Sequence, residues 1–333
     1  MKVFTRDYRI TGEWPDVLIS YFPGMRPCVL DIETSGLDPS RCRIILIALL
    51  VQTQDGLTVT QFLAENQYEE DRVLDAALDF LERESIGYLV TFNGQTFDIP
   101  FINSRLSRLY SDRDLNVFNL DVYRLLCSGT DLRKRIGSMS QKSVEDYFGI
   151  FDDRRDTITG RESAALFDEY ALTGNSTIER IILTHNREDV LQLSRLMHLI
   201  PESFEDFDSA IARHGFPACG GRYSVRPVLK RRERVLRICG KQLASPVSAA
   251  FFSDIDSPVT SIFDSLTATY EIDAPLGRLR DNYYIDAIAC GIDPDEDPMY
   301  VNGYLILDSR TVNLAARLLV EKSSLQLFHA ADI

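Results

Sequence analysis

The chain has 333 residues, 45% of them hydrophobic, and sets 36 basic against 50 acidic side chains for a formal charge of −14. No run of about 18 apolar residues occurs, which argues against a membrane span, and six cysteines without a C-x-x-C pair argue against a zinc ribbon or a disulfide scaffold. The acidic balance disfavours a nucleic-acid partner, since phosphate binding is driven by neutralisation, but a local basic surface can override the total.

The opening residues, Met1 to Asp7, lack the hydrophobic stretch of a secretory signal, so cytoplasmic residence is expected. The first strand-like run spans residues 27–33 and is apolar until Asp31 and Glu33 interrupt it. In a strand, residues two apart share a face, so the two carboxylates converge. Anions held that close repel each other and lose hydration, and a divalent cation with oxygen preference compensates both costs. Strand-like runs follow at 43–52 and 57–63, a helical pattern at 68–84, and a buried strand at 87–92 that leads into Asn93-Gly94-Gln95-Thr96-Phe97-Asp98. Helical spacing marks residues 97–108, 121–128, 140–148 and 160–173, with one more strand at 116–120. The last and longest helix, 176–200, has an apolar stripe through Ile182, Val190, Leu193 and Leu196 and places His185 and Asp189 four residues apart on one face. Three consecutive strands followed by helix-separated ones predict an α/β fold with a mixed sheet flanked by helices.

Pro201 to Asp206 breaks that helix and opens a linker, giving domains at 1–204 and 205–333. Ten of the fourteen excess negative charges fall in the first and four in the second. The second reads as a smaller α+β module with strands at 234–238, 266–272, 283–290 and 303–307 and a helix at 311–320. Within it Arg222, Arg226, Lys230, Arg231, Arg232, Arg234 and Arg237 face only Glu233, with Tyr223 among them. Arg231, Arg232 and Arg234 are the candidates for contact with a phosphate backbone; the alternative is a solvated strand face whose basic residues protect a sheet edge. A shorter cluster, Arg133-Lys134-Arg135 with Lys142, lies between the acidic motifs, and the loop Asp293 to Pro298 reads as a solvated turn, having no EF-hand spacing.

The order D-x-E-T-x-G-L, N-x-x-x-F-D and H-x-x-x-D resembles the DEDD superfamily of 3′–5′ exonucleases, which has a ribonuclease H-like fold. Within it, N-G-x-x-F-D-x-P-F and N-R-E-D-V-L-x-L look most like the YprB-like ribonuclease H-like proteins, and the likeness covers about residues 26–200. The resemblance implies two divalent ions, Mg²⁺ or Mn²⁺, with Asp31 bridging, Glu33 and Asp189 completing one site, and Asp98 supporting the other largely through water. Phosphodiester hydrolysis needs an activated water and a stabilised leaving alkoxide, and two ions serve both ends of an in-line displacement. His185 departs from the pattern, because the three-residue spacing to the acid usually goes with tyrosine. It sits one turn before Asp189, where a neutral imidazole could take the proton of the attacking water; packing or capping is its bland alternative.

Thr34 and Ser35 follow the first strand and could donate to the terminal nucleotide; Asn93 and Phe97 flank the second acid, with Phe97 placed either to stack on a base or to plug the core. The expectation is therefore a hydrolase, a metal-dependent nuclease acting on DNA or RNA, most simply from a single-stranded 3′ end. A structure-selective endonuclease on the same fold and a catalytically silent adaptor for nucleic acid or protein remain as alternatives. Protein partners, oligomeric state and the choice between DNA and RNA leave no mark in the sequence.

Overall fold

The computed structural model describes residues 1–331 apart from 10–13, 111–112, 157, 245, 247–249 and 254–256. Two compact units emerge, Met1–Ser20 with Met25–Ser203, and Tyr21–Gly24 with Phe204–Ile333.

The first unit is built on a six-stranded mixed sheet. Its strands are β1 (Lys2–Tyr8), β2 (Arg26–Thr34), β3 (Ile44–Thr53), β4 (Gly56–Leu63), β5 (Ile86–Thr91) and β6 (Phe118–Asp121), in the spatial order β1-β4-β3-β2-β5-β6. The β1, β4, β3 and β2 pairings are antiparallel, whereas β2, β5 and β6 run parallel. Residues 44–51 of β3 are all buried, as a central strand covered on both faces requires. The polar strand β1, Lys-Val-Phe-Thr-Arg-Asp-Tyr, gave no sequence signal because it is a largely exposed edge whose stability comes from pairing with β4.

The helices of this unit are α1 (Asp16–Ile19, a single turn), α2 (Glu70–Arg83), α3 (Asp98–Leu109), α4 (Val122–Gly129), α5 (Leu132–Ile136), α6 (Gln141–Tyr147), α7 (Gly160–Thr173) and α8 (Ser176–Leu199). Helix α8 packs on β2, β3 and β4 through a stripe that includes Ile182, Val190, Leu193 and Leu196. Glu70, in the first turn of α2, is buried and receives a two-pronged ion pair from Arg105 of α3 at 2.7 and 2.8 Å, and its Oε1 also accepts from Ile44 N at the start of β3. This pair fastens two helices to one strand end.

The boundary between the two units falls within 201–206, and the segment carries structure of its own. Ile200–Ser203 forms a 3₁₀ turn, and Asp206 caps α9 (Phe207–His214) by accepting from Ser209 N. The second unit contains β7 (Phe216–Ala218), β8 (Tyr223–Lys230), β9 (Val235–Lys241), β10 (Ala250–Ser253), β11 (Thr260–Asp264) and β12 (Thr269–Pro275) in one sheet, ordered β10-β11-β12-β9-β8-β7. A second sheet holds β13 (Gly277–Leu279), β14 (Asn282–Asp286), β15 (Tyr300–Val301) and β16 (Tyr304–Leu307), ordered β13-β14-β16-β15. Helices α10 (Ala287–Cys290) and α11 (Ser309–Ala331) complete it. The expected strand at 266–272 begins only at Thr269, because Asp264 folds residues 265–268 into a turn by accepting from Leu266 N and Thr267 N. The expected strand at 283–290 ends at Asp286, whose carboxylate caps α10.

Tyr21 belongs to this second unit. Its hydroxyl donates to Asp208 and accepts from Asn313 of α11, while its ring meets Phe207 and Phe216 at centroid distances of 6.2 and 5.4 Å.

Candidate active site

Strand β5 pairs with β2 only as far as Val29↔Val90, so Asp31 and Glu33 run on beyond their parallel neighbour. The backbone left unpaired there is taken by a side chain, since Ile32 N donates to Asp98 Oδ1 at 3.2 Å. The first turn of α3 is thereby tied to β2 between the two acids. A register shift between Glu33 and Thr34 re-aims the end of the strand against β3. On the other side, Asn186 Nδ2 of α8 donates to Asp31 Oδ2 at 2.8 Å, and Gln61 Nε2 of β4 donates to Asn186 Oδ1 at 2.9 Å. Three elements thus fix the orientation of one carboxylate.

The approach to Asp98 is rigid. Asp121, fully buried at the end of β6, accepts from Asn93 N at 3.0 Å and Gln95 N at 2.9 Å and caps α4 through Arg124 N. Asn93 adopts φ +66, a conformation asparagine tolerates better than most residues. Gly94 is required by space, because a Cβ there would lie 2.3 Å from Thr91 Oγ1.

Glu33, His185 and Asp189 present ligand-type atoms within 4.8 Å of one another. His185 is buried on α8, with Nδ1 2.7 Å from Asp156 Oδ2 and Nε2 3.5 Å from Glu33 Oε1 and 3.6 Å from Asp189 Oδ2. Behind them lies Arg154, whose side chain is 2% exposed. Its Nε donates to Asp156 Oδ1 at 2.6 Å, its Nη1 to both oxygens of Glu145 at 2.8 and 2.9 Å, and its Nη2 to Asp189 Oδ1. Lys142 adds a second cation on Asp156 at 2.9 Å.

The charges are unbalanced around the strand end. Burial, then the charges of Asp189, Asp98 and Glu33, push the Asp31 carboxyl well above the ordinary range, against the hydrogen bond from Asn186. Burial lifts Glu33 to about 7, with His185 opposing and Asp189 adding to the rise. Asp98 also reaches about 7, mainly through burial, despite its backbone hydrogen bonds. By contrast, hydrogen bonds from His185, Arg154 and Lys142 outweigh burial at Asp156 and hold it below the usual carboxylate range. Burial lowers His185, but Asp156, Asp189 and Glu33 more than reverse that effect and leave it raised. Carboxylates crowded to this degree, without a side-chain cation at Asp31 or Asp98 among the described contacts, suit a hard divalent ion; the donor set therefore fits the class of metal that the family resemblance implies.

The family model RNase_H_2, described as the RNase_H superfamily, matches residues 28–200, slightly more than half of the chain. The chain belongs to the ribonuclease H superfamily. The mixed sheet flanked by helices is the fold expected of such a protein. No curated protein matches the chain. Among solved structures, similarity is found to the family B DNA polymerase from the hyperthermophilic archaeon Pyrobaculum calidifontis, at 18% identity and a TM-score of 0.42, over 57% of this chain and 26% of that one. The chain thus spans about a quarter of the polymerase's length. Among the described residues, no helix is long and apolar enough to cross a membrane.

In this ribonuclease H superfamily member the remaining sequence candidates fall into different settings. Thr34 Oγ1 donates to Gly36 O at 2.7 Å and Ser35 Oγ accepts from Arg43 N at 3.0 Å, so both hydroxyls brace the turn after β2. Phe97 is partly buried and packs on Phe101 with ring centroids 5.5 Å apart. Arg231, Arg232 and Arg234 lie exposed in the β8–β9 turn of the second unit. Arg237 is spent on structure, bound to Asp273 at 2.6 and 2.9 Å across β12. Tyr223, placed among the basic residues by sequence, is buried against Phe263 and Tyr270.

Arg154, Asp156, Glu145 and Gln61 were not singled out from sequence, and Asn186 entered only as the first residue of the motif N-R-E-D-V-L-x-L, with no role given to it. Asn186 and Gln61 had a usable signal, each being a polar residue on an otherwise buried face. Arg154 and Asp156 come from an irregular segment that has no period to read.

Proposed function

We propose that this chain is a metal-dependent nuclease of the DEDD type, nearest to the YprB-like proteins, that hydrolyses phosphodiester bonds from the 3′ end of DNA or RNA. The observation that carries this reading is the meeting of Asp31, Glu33, Asp98 and Asp189, drawn from three separated segments, at a strand end where burial and mutual repulsion raise the first three carboxyls. These four residues would hold two divalent ions, Mg²⁺ or Mn²⁺. Such ions supply an activated water and stabilise the leaving alkoxide. The chain's own contribution is placement. Asn186 and Gln61 orient Asp31, the Ile32 amide orients Asp98, and Arg154 fixes one oxygen of Asp189.

A groove of about 470 Å³, lined by Phe92, Asn93, Tyr123, Arg133, Met139 and Gln141 among others, opens at the carboxyl ends of β5 and β6. Its size lies in the roughly 300–1,000 Å³ range of ligand sites. Phe92 and Tyr123 offer ring surface for a base, Asn93 an amide and Arg133 a cation for a phosphate. Residues 1–204 would be the catalytic domain and 205–333 an accessory module, with Arg231, Arg232 and Arg234 as a phosphate-contacting surface. Thr34, Ser35 and Phe97 would act by shaping the turn and the helix start beside the acids.

End-labelled single- and double-stranded DNA and RNA, incubated with Mg²⁺ or Mn²⁺, test the reading directly. Stepwise shortening from the 3′ end is expected, with Asp31→Asn reduced to background. Internal cuts would replace it with the endonuclease, and metal-independent binding without cleavage would replace it with the silent adaptor.

A further inference from the structure

We propose that His185 Nε2 is itself a ligand of a metal ion, shared with Glu33 Oε1 and Asp189 Oδ2, and that the site therefore selects a borderline transition ion such as Mn²⁺ over Mg²⁺. The inference rests on the reading that the carboxylates hold metal, and it changes what His185 does there: it binds the ion instead of taking a proton from water.

The first support is the ring's direction. His185 is 4% exposed, and among the described residues its hydrogen bond runs between Nδ1 and Asp156 Oδ2. Asp156 already accepts from Arg154 Nε and Lys142 Nζ, so it is an ionised acceptor and the ring proton belongs on Nδ1. In the neutral ring that a metal requires, Nε2 then carries the lone pair, and it faces both Glu33 Oε1 and Asp189 Oδ2. Its distances to their oxygens, 3.5 and 3.6 Å, exceed those of good hydrogen bonds. They approach the separation of neighbouring donors on one ion, about 3–3.5 Å for metal bonds of about 2.0–2.2 Å.

The second support is the layer behind. Metal-binding histidines generally hand their other ring nitrogen to a carboxylate or carbonyl, which fixes the tautomer and the ring plane. Asp156 occupies that position. Arg154 then couples the two candidate ligands, because the same guanidinium holds Asp156 on one side and Asp189 Oδ1 on the other, leaving Oδ2 turned toward His185. Glu145 anchors the guanidinium from behind with both oxygens. A site of two carboxylates and an imidazole suits Mn²⁺ better than Mg²⁺, which prefers an all-oxygen shell.

The experiment is pulsed electron paramagnetic resonance on the full chain loaded with Mn²⁺, read for nitrogen modulation from a directly bound imidazole. Modulation is expected in the wild type and lost in His185→Gln. Asp156→Asn, checked for retained fold by circular dichroism, should weaken Mn²⁺ binding by about 10–100-fold while leaving Mg²⁺ affinity nearly unchanged. Saturable Mn²⁺ binding that depends on Asp31 but shows no nitrogen modulation overturns the role of His185 and leaves the nuclease reading standing. Absence of any saturable Mn²⁺ or Mg²⁺ binding overturns both. The wild-type spectrum decides the matter even where a variant fails to fold.

Discussion

Arg154 is the residue on which the stability of the acidic cluster turns. It satisfies Glu145, Asp156 and Asp189 at once from a side chain withdrawn from water, and nothing else among the described contacts binds Glu145 with a positive charge. Arg154→Met should therefore lower unfolding free energy by about 3–5 kcal/mol, the cost of stranding buried charges. Arg154→Lys should recover only part of it, since a single ammonium cannot reproduce a planar fork to three carboxylates. Urea denaturation measures both; a loss within the ~0–1 kcal/mol typical of exposed pairs would show that the cluster is compensated from elsewhere. Residues of this sort are hard to find in a sequence. Asp31 and Glu33 stand out because they interrupt an apolar strand, and Asp98 and Asp189 because they fall in the motifs that carry the family resemblance, whereas Arg154 is one charge among several in a stretch with no motif.

At the scale of elements, the joint between β5, α3 and α4 governs how Asp98 is presented. Asp121→Ala removes the acceptor of three backbone amides, those of Asn93, Gln95 and Arg124. A loss of about 2–4 kcal/mol is expected from one lost cap and two stranded donors; under the proposed nuclease reading, the shift of Asp98 should also lower kcat more than it raises KM. A second element-level prediction concerns the β8–β9 turn. Replacing Arg231, Arg232 and Arg234 together by Gln should weaken single-strand binding and reduce the salt slope by about 2, at roughly 0.7 per phosphate contact. An unchanged slope would remove that turn from the substrate path. Elements with both faces buried, such as β3, or with a continuous apolar stripe, such as α8, were legible in the sequence. Strand β1 and the 250–264 strands were not, because alternating polar edges and short hairpin strands owe their conformation to partners distant along the chain.

For the whole molecule, the raised carboxyls set a pH dependence. Glu33 moves from 4.5 to about 7 and Asp98 from 3.8 to about 7 on folding. Between those limits the native state holds more protons than the unfolded one, so stability falls as pH rises. His185, raised above 6.5, acts in the same direction, since its contacts with Asp156 and its acidic neighbours stabilise most when it is protonated. Metal-free protein should therefore show a falling urea midpoint from pH 5 to pH 8, and Mn²⁺ should restore it most at the alkaline end, where the ligands are ionised. A midpoint that rises over this range would contradict the repulsion. The division of the chain carries a separate consequence for its synthesis. Tyr21 and Phe22, 7% and 2% exposed, are flanked on both sides by residues of the first unit yet packed within the second. A ribosome completes residue 203 before Asp208, Phe207, Phe216 and Asn313, the partners of the Tyr21 side chain, exist, so a polypeptide stopped there carries that ring without them. A 1–203 truncation is expected to aggregate, and Tyr21→Ser should make it more soluble, as light scattering would record; the Tyr21 ring is covered only once Asn313 and Arg317 of α11 have been made.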